Sequence, residues 1–316
     1  MGHSSRSVPS GLTAASVGLD AESEFVDVGD VTLHTVVAGP DDGDPVVLLH
    51  GFPECWYGWR EQIEPLADAG FRVIAPDQRG YNLSSKPSGV DAYGIDYLAG
   101  DVVGLLSAFG YDKAAVVGHD WGAAVAWWTA LHHPDRLTRL VAMNVPHPTV
   151  FRRTLTRNPR QQLKSWYVLF FQLPALPERL ARLDDWAIPT RALRDSARPE
   201  TFSATDFERY RTAWSQPGAY TAMLNWYRAI VRERPEPRET QVRVPTRILW
   251  GAGDQFLERE MAEESLDFCD DGSLRYFEAA THWVQHEEAD AVTAELVECC
   301  ASDTDADADA DADAAD

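Results

Sequence analysis

The sequence has little positive charge and almost no lysine. Among its 316 residues, 28 are Lys or Arg and 50 are Asp or Glu, so the formal net charge is -22. The only lysines are Lys86, Lys113 and Lys164. So acidic a composition disfavours nucleic acids and anionic membranes as partners. It is typical of proteins from salt-accumulating halophiles, in which concentrated salt screens the self-repulsion, and we expect such an origin.

Long apolar runs and metal-binding cysteine spacings are also absent. No uncharged apolar run reaches the roughly 18 residues that a membrane-spanning helix needs. The four cysteines show no C-x-x-C or Cys/His metal spacing. We therefore expect reduced thiols in a cytoplasmic protein, without a structural disulfide. Nothing in the sequence implies a metal ion or an organic cofactor.

The two ends of the chain have compositions that cannot build a core. Residues 1–22 are rich in Ser and Gly and contain no apolar segment like that of a signal peptide. Residues 302–316 are mostly alternating Asp and Ala. We predict a disordered arm at the first end and an acidic disordered tail at the second.

Between these ends, short apolar strands alternate with helical segments over residues 23–148 and 239–301. This alternation predicts an α/β fold with a mostly parallel sheet covered by helices on both faces. Residues 149–238 differ, because they have a helical period and are rich in Arg, Pro and aromatic residues. We interpret this stretch as a helical cap inserted into the core.

A glycine-flanked aspartate follows one of the apolar strands. The strand at residues 114–117 leads into Gly118-His119-Asp120-Trp121-Gly122 and then into an apolar helix at residues 123–131. This is the strand–turn–helix spacing of a nucleophile elbow, in which glycines permit a sharp turn. Serine is the commoner middle residue, whereas Asp120 would attack an sp3 carbon and form an ester. An N-cap aspartate in a glycine-rich turn is the alternative.

The loop after an earlier strand predicts an oxyanion hole. Its residues are His50-Gly51-Phe52-Pro53, and the Phe52–Pro53 bond is a plausible cis peptide. Such a loop can direct the backbone N–H of Phe52 at the nucleophile, while the N–H of Trp121 supplies a second donor. We interpret His50 as a residue that holds this loop by hydrogen bonds, not as a catalytic group.

Two further titratable residues follow predicted strands. Asp254 comes after the strand at residues 246–250, and His282 comes after the strand at residues 273–277. In a parallel sheet both would lie with Asp120 at the carboxyl edge. His282 would take a proton from the water that hydrolyses the ester. Asp254 would orient the imidazole and stabilise its charged form.

Together these segments resemble the α/β-hydrolase-fold epoxide hydrolases over about residues 24–300. The order of nucleophile, acid and histidine agrees. The motifs are His50-Gly51-Phe52-Pro53, Gly118-His119-Asp120-Trp121-Gly122, Gly251-Ala252-Gly253-Asp254 and His282-Trp283. The resemblance implies an α/β-hydrolase fold with an eight-stranded sheet and an inserted cap. It also implies conversion of an epoxide and water to a vicinal diol through a covalent aspartyl ester, without a cofactor.

That family uses two cap tyrosines to hold and protonate the epoxide oxygen. The resemblance assigns these roles to Tyr167, within Trp166-Tyr167-Val168-Leu169-Phe170-Phe171-Gln172, and to Tyr227, within Asn225-Trp226-Tyr227-Arg228. A phenol can supply the proton that an opening epoxide ring needs. Tyr220 is a nearby alternative for the second role but lacks the flanking residues. We expect a small apolar epoxide as substrate, in contact with Phe52, Pro53, Trp121 and Trp166.

Other activities fit the same residues less well. Haloalkane dehalogenases resemble this chain in fold and nucleophile, and Trp121 suits their halide site, but Phe52 stands where they commonly have Asn. Fluoroacetate dehalogenases need arginines after the nucleophile, where this chain has Trp121 and Val125. A non-catalytic binding protein on this fold would have lost residues such as His282. A serine esterase would need Ser in place of Asp120.

Overall fold

Eight strands form one open sheet in the computed structural model, which describes residues 11–301. In chain order they are β1 Glu22–Asp27, β2 Thr32–Ala38, β3 Pro45–Leu49, β4 Arg72–Pro76, β5 Ala114–His119, β6 Leu137–Met143, β7 Thr246–Gly251 and β8 Gly272–Phe277. Their order across the sheet is β1-β2-β4-β3-β5-β6-β7-β8. The pairs β1/β2 and β2/β4 are antiparallel, and all the others are parallel. The predicted α/β-hydrolase fold with a mostly parallel eight-stranded sheet is therefore confirmed.

Fourteen α-helices occur in the described part of the chain. They are α1 Ala14–Val17, α2 Arg60–Asp68, α3 Ile95–Ala108, α4 Trp121–His132, α5 Pro148–Arg157, α6 Pro159–Lys164, α7 Trp166–Phe170, α8 Leu176–Ala181, α9 Ala187–Ser196, α10 Ala204–Trp214, α11 Ala219–Glu233, α12 Glu260–Leu266, α13 Val284–Glu287 and α14 Ala289–Cys300. None of them, over residues 11–301, has both the length and the apolar character that crossing a bilayer requires.

The central strands are buried because helices pack against the sheet. Helix α4 contacts β3, β5 and β6, and α14 contacts both β6 and α2. Accordingly every residue of β5 is buried, as an uninterrupted apolar strand predicts. The edge strand β1 instead alternates exposed and half-buried positions. The carboxyl ends of the parallel strands thus share one edge of a buried sheet.

The chain leaves the sheet after β6 and returns at β7. Between those strands it forms seven helices, α5 to α11, and this fully described stretch contains no strand. We call α5–α11 the cap helices. Helices α6 and α7 are separated by a single residue, Ser165.

The predicted disordered arm is ordered where the structure describes it. Helix α1 lies in this segment and is capped by the Thr13 side chain. Leu12 and Ala14 are buried, and Trp56 Nε1 donates to the Leu12 carbonyl oxygen at 3.0 Å. The prediction of disorder over residues 1–22 is therefore wrong for residues 11–22, because apolar side chains there reach the core. Residues 1–10 and the predicted tail, 302–316, lie outside the described residues.

Candidate active site

Asp120 lies in the sharp turn between β5 and α4. Its φ of 50° and ψ of -123° are unusual for a residue with a side chain, and such strain is common at functional sites. A Cβ on Gly118 would lie 2.3 Å from the Gly122 carbonyl oxygen, and one on Gly122 would lie 2.0 Å from the Leu49 carbonyl oxygen. Only glycine fits at both positions. The N–H of Trp121, the first residue of α4, needs a partner from outside the helix.

The loop that follows β3 donates a hydrogen bond to this aspartate. The Phe52 N–H donates to Asp120 Oδ1 at 2.8 Å, and the peptide bond after Phe52 is cis, as predicted. His50 holds the loop, since its Nδ1 lies 3.0 Å from the Gly51 carbonyl oxygen and its Nε2 accepts the Gln78 N–H at 3.1 Å. These contacts suit a neutral imidazole, and burial lowers the pKa of His50.

Asp254 and His282 meet Asp120 at the carboxyl edge of the sheet. His282 Nδ1 lies 2.7 Å from Asp254 Oδ2, and His282 Nε2 lies 3.5 Å from Asp120 Oδ2. Burial alone would lower the pKa of His282, but the two carboxylates outweigh it and raise the pKa to about 10. While both carboxylates are ionised, the imidazole is therefore held in its charged form.

Asp254 is a buried carboxylate whose charge is stabilised by several donors. Burial would raise its pKa, but the charge of His282 and the surrounding hydrogen bonds lower the pKa below its usual value. Its Oδ1 accepts the N–H groups of Phe256 and Leu257 at 2.7 and 3.0 Å, and its Oδ2 accepts Asn144 Nδ2 at 2.8 Å. Sequence reasoning missed Asn144. Asn144 directly follows β6, and this position at a strand end is the signal that could have indicated a site residue.

Tyr167 on α7 and Tyr227 on α11 lie together, with ring centroids 5.9 Å apart. The Tyr227 ring packs edge-on against Trp121 at 5.0 Å and against Phe52 at 5.2 Å, the two residues beside Asp120. Burial, followed by the charge of Asp120, raises the pKa of both tyrosines. Both phenols therefore stay protonated near that carboxylate at neutral pH.

Further aromatic side chains surround the tyrosines. Phe171 contacts both tyrosines and Phe52, with ring centroids 5.0 to 5.7 Å apart. Phe256 lies between His282 and the cap helices, with its ring 5.1 Å from the His282 ring and 6.0 Å from the Tyr167 ring. These uncharged rings suit an apolar ligand.

Two other residues from the sequence analysis are placed differently. Trp166, predicted to contact the substrate, is corrected to a surface residue: it is 63% exposed and packs on Phe170. Neighbouring positions on the short helix α7 point in different directions, so Tyr167 packs against Tyr227 while Trp166 faces outward. The alternative tyrosine, Tyr220, packs against Trp186 at 5.2 Å and against Phe52 at 6.2 Å, and burial and Glu178, not Asp120, raise its pKa.

A buried carboxylate that sequence reasoning missed, Glu54, connects the site to the cap helices. Tyr210 on α10 donates to its Oε1 at 2.5 Å, His286 Nε2 lies 2.7 Å from the same oxygen, and Gln285 Nε2 donates to its Oε2 at 3.1 Å. Burial would raise the pKa of Glu54, but His286 and His119 lower it well below its usual value. Its partners lie far away in the chain, so no local pattern indicates the cluster.

The same cluster holds the backbone of His282. His119 Nε2 lies 2.8 Å from the His282 carbonyl oxygen, and His119 Nδ1 lies 3.1 Å from Gln285 Nε2. Since a carbonyl only accepts, His119 Nε2 donates its proton to the His282 carbonyl oxygen. Next to it, the Pro53 carbonyl accepts Trp214 Nε1 at 2.6 Å, so Pro53 contacts α10 through its backbone.

Over residues 11–301, no group of three or more His, Cys, Asp and Glu side chains is placed to hold a metal ion. All four cysteines are free thiols.

The chain matches known proteins over most of its length. Residues 44–289 match the family described as alpha/beta hydrolase fold. The AB hydrolase superfamily protein YfhM of Bacillus subtilis is 48% identical over 275 residues, 87% of this chain and 96% of the relative. Epoxide hydrolase 1 of Caenorhabditis elegans is 37% identical over 280 residues, 87% of this chain and 69% of the relative. A crystal structure of Bacillus megaterium epoxide hydrolase in complex with an inhibitor has a TM-score of 0.79 and 30% identity, covering 86% of this chain and 98% of that one.

Proposed function

The chain belongs to the α/β-hydrolase family, and we propose that it is an epoxide hydrolase within that family. It converts an apolar epoxide and water to a vicinal diol through an ester of Asp120. The observation that carries the proposal is that two neutral phenols, Tyr167 and Tyr227, pack together, and that the Tyr227 ring contacts Trp121 and Phe52, which lie beside this carboxylate. An alkyl halide would need no such proton donors. The relatives named epoxide hydrolase support the same substrate class.

In the first step, Asp120 opens the ring. Its Oδ1 accepts the Phe52 N–H, so Oδ2 attacks a ring carbon from the side opposite the breaking C–O bond. The electron pair of that bond stays on the epoxide oxygen, which takes a proton from Tyr167 or Tyr227. Charged His282 then returns a proton to the tyrosinate and becomes neutral.

In the second step, water cleaves the ester. Neutral His282 takes one proton from the water, and the hydroxide adds to Cγ of Asp120. Negative charge develops on Oδ1, beside the N–H groups of Phe52 and Trp121. The Cγ–Oδ2 bond breaks, and the departing diol oxygen takes the remaining proton of the added hydroxyl. The site ends with ionised Asp120 and charged His282, so epoxide and water are the only compounds consumed.

We further propose that residues 149–238 act as a cap on a core formed by residues 23–148 and 239–301. Both tyrosines come from cap helices, whereas Asp120, Asp254 and His282 follow strands. A cap that covers the site would exclude bulk water during ring opening. We also keep a halophilic origin and a cytoplasmic location as predictions from the net charge of -22 and the four free cysteines.

The proposal is tested by intact mass of a His282→Gln variant mixed with styrene oxide and, separately, with 1-bromobutane in high salt. The variant retains the nucleophile but lacks the base, so we expect a stable adduct of one styrene oxide, mapped to Asp120 by peptide mass. The Asp120→Ala/His282→Gln variant is the control and should gain no mass.

The two ligands separate the alternatives. An adduct from the bromide alone would reassign the chain to the dehalogenases. A folded sample that forms no adduct with either ligand would contradict the mechanism. Adding Tyr167→Phe or Tyr227→Phe should slow adduct formation from the epoxide by about 100-fold, and unchanged rates would leave the tyrosines as packing residues.

A further inference from the structure

Helix α6 of the cap is attached to the loop that follows β7. This loop, residues 254–258, carries Asp254 and is folded back on it, because the Asp254 carboxylate accepts the N–H groups of Phe256 and Leu257. Two side chains of α6, Gln161 and Lys164, hydrogen-bond to the backbone of the same loop. We call residues 254–258 the acid loop. Its backbone bonds to the Asp254 carboxylate and also to side chains of the cap helix α6.

Gln161 makes the closer connection. It is fully buried, its Nε2 donates to the Phe256 carbonyl oxygen at 2.8 Å, and its Oε1 accepts the Glu258 N–H at 3.0 Å. The same Nε2 donates to Ser165 Oγ at 3.0 Å. Ser165 separates α6 from α7 and stands two positions before Tyr167. The Gln161 side chain therefore joins the acid loop to Ser165, the residue directly before α7, which carries Tyr167.

Lys164 reinforces this connection with a charge. Its Nζ donates to the carbonyl oxygens of Asp254 and Leu257 at 3.2 and 3.3 Å, and it pairs with Glu258 Oε1 at 3.3 Å. In a chain with three lysines against 50 acidic residues, this one is surrounded by oxygen atoms of the acid loop. The side chains of Lys164 and Glu258 are only 28% and 14% exposed, so salt screens the pair less than a surface pair.

We propose that Gln161 and Lys164 are positioning residues that set Tyr167 against the Asp120–His282 pair. Neither side chain touches the reacting atoms. They fix the distance between α7 and the acid loop, and Phe256, held by Gln161, packs against both Tyr167 and His282. Tyr167 is one of the two donors that the epoxide oxygen needs beside it as Asp120 attacks, so a small displacement of Tyr167 slows ring opening, whereas ester hydrolysis does not use Tyr167. This inference rests on the proposed function.

The test is single-turnover rapid quench with styrene oxide, in which intact mass follows the rise and the decay of the ester separately. In Gln161→Met, which keeps side-chain length but loses all three hydrogen bonds, we expect the rise to slow about 10- to 100-fold. The decay should change by less than about threefold. Lys164→Met should act in the same direction more weakly, and Lys164→Arg should restore most of the rate.

Gln162→Met is the matched control. Gln162 is the adjacent glutamine on the same helix and is exposed, and over residues 11–301 its side chain bonds only within the cap helices, to the carbonyl oxygens of Leu155 and Thr156. This variant should leave both rates unchanged.

A double-mutant cycle separates positioning from general stabilisation. In a Tyr167→Phe background, Gln161→Met should slow the rise no further, because the donor that it positions is gone. If the two effects multiply, or if rise and decay slow equally, the positioning role is overturned. Wild-type protein that forms no ester with the epoxide would remove the proposed function and this inference together. A normal wild type with an unaffected Gln161→Met variant would remove the inference alone.

Discussion

Neutralising Asp120 should move the pKa of His282 from about 10 into the neutral range. In the free protein the imidazole lies between two carboxylates, and its pKa is raised to about 10. Its Nε2 is 3.5 Å from Asp120 Oδ2. At an effective dielectric of about 20, a charge pair at that distance is worth about 4.7 kcal/mol, which corresponds to a fall of about 3.5 in pKa when the negative charge is removed. Asp120→Asn imitates the neutral ester and should bring the pKa of His282 to about 6.5.

The assay is an NMR titration of the imidazole nitrogens in protein labelled with ¹⁵N-histidine. There are 9 histidines, and the His282 signal is identified by its loss in His282→Gln. Asp120→Ala provides a second neutral variant, and intact mass verifies that the amide introduced by Asp120→Asn has not hydrolysed back to a carboxylate. A pKa of His282 that stays within about 1 of the wild-type value in both variants would refute the idea that ester formation releases the base.

The direction of this change gives a pH profile. In the proposed mechanism ester hydrolysis needs neutral His282, so its rate should rise with pH through about 6.5, well below the pKa of about 10 in the free protein. Ring opening by this mechanism needs protonated tyrosines, whose pKa values are raised, so its rate should stay constant over the same range. Pre-steady-state rates measured from mildly acidic to mildly alkaline pH follow both steps.

Other substitutions have separate expected outcomes. In Gly51→Ala the new Cβ would lie 2.4 Å from Asp120 Cβ, so adduct formation should be lost, as intact mass would report. Gly100→Ala, in α3 with open space around the new Cβ, should instead stabilise the fold by about 0.5–1 kcal/mol in urea unfolding. Asn144→Leu removes a donor to Asp254 and the acceptor of the Gly251 N–H, and should destabilise the fold by about 1–3 kcal/mol. Trp166→Ala should leave ring opening unchanged, because the side chain is exposed.

Each of these expectations can be contradicted by one result. Full activity of Gly51→Ala would mean that the loop yields without displacing the nucleophile, and a destabilised Gly100→Ala would mean that α3 is covered there. An Asn144→Leu variant as stable as wild type would show that its hydrogen bonds are replaced. Slower ring opening in Trp166→Ala would restore it as a substrate contact.

The sheet and its loops could be predicted because their signals are local. Continuous apolar strands, the glycines around Asp120 and the His-Gly-Phe-Pro sequence each dictate the backbone near them. The strands predicted at residues 246–250 and 273–277 lie within β7 and β8. The order of polar residues at strand ends also predicted that Asp254 and His282 lie beside Asp120, since parallel strands share an edge.

What could not be predicted depends on contacts between distant segments. Glu54 has partners on α10 and on α13, and Gln161 bonds to a loop 95 positions away. Neither residue differs in its local sequence from an ordinary surface Glu or Gln. Trp166 was wrongly assigned for a related reason: a five-residue helix lacks the periodicity that would show which side chain points inward.

The connection between β6 and β7 has a consequence for how this protein can be altered. These strands are neighbours in the sheet, so the cap helices occupy a crossover that a single helix could make. In the proposed mechanism, the tyrosines that donate a proton to the leaving oxygen lie in this connection, whereas the attacking carboxylate and its base follow strands. The two halves of the proposed chemistry are therefore carried by different segments of the chain. A foreign segment spliced between Met143 and Thr246 could change which leaving group is accepted while the nucleophile stays the same.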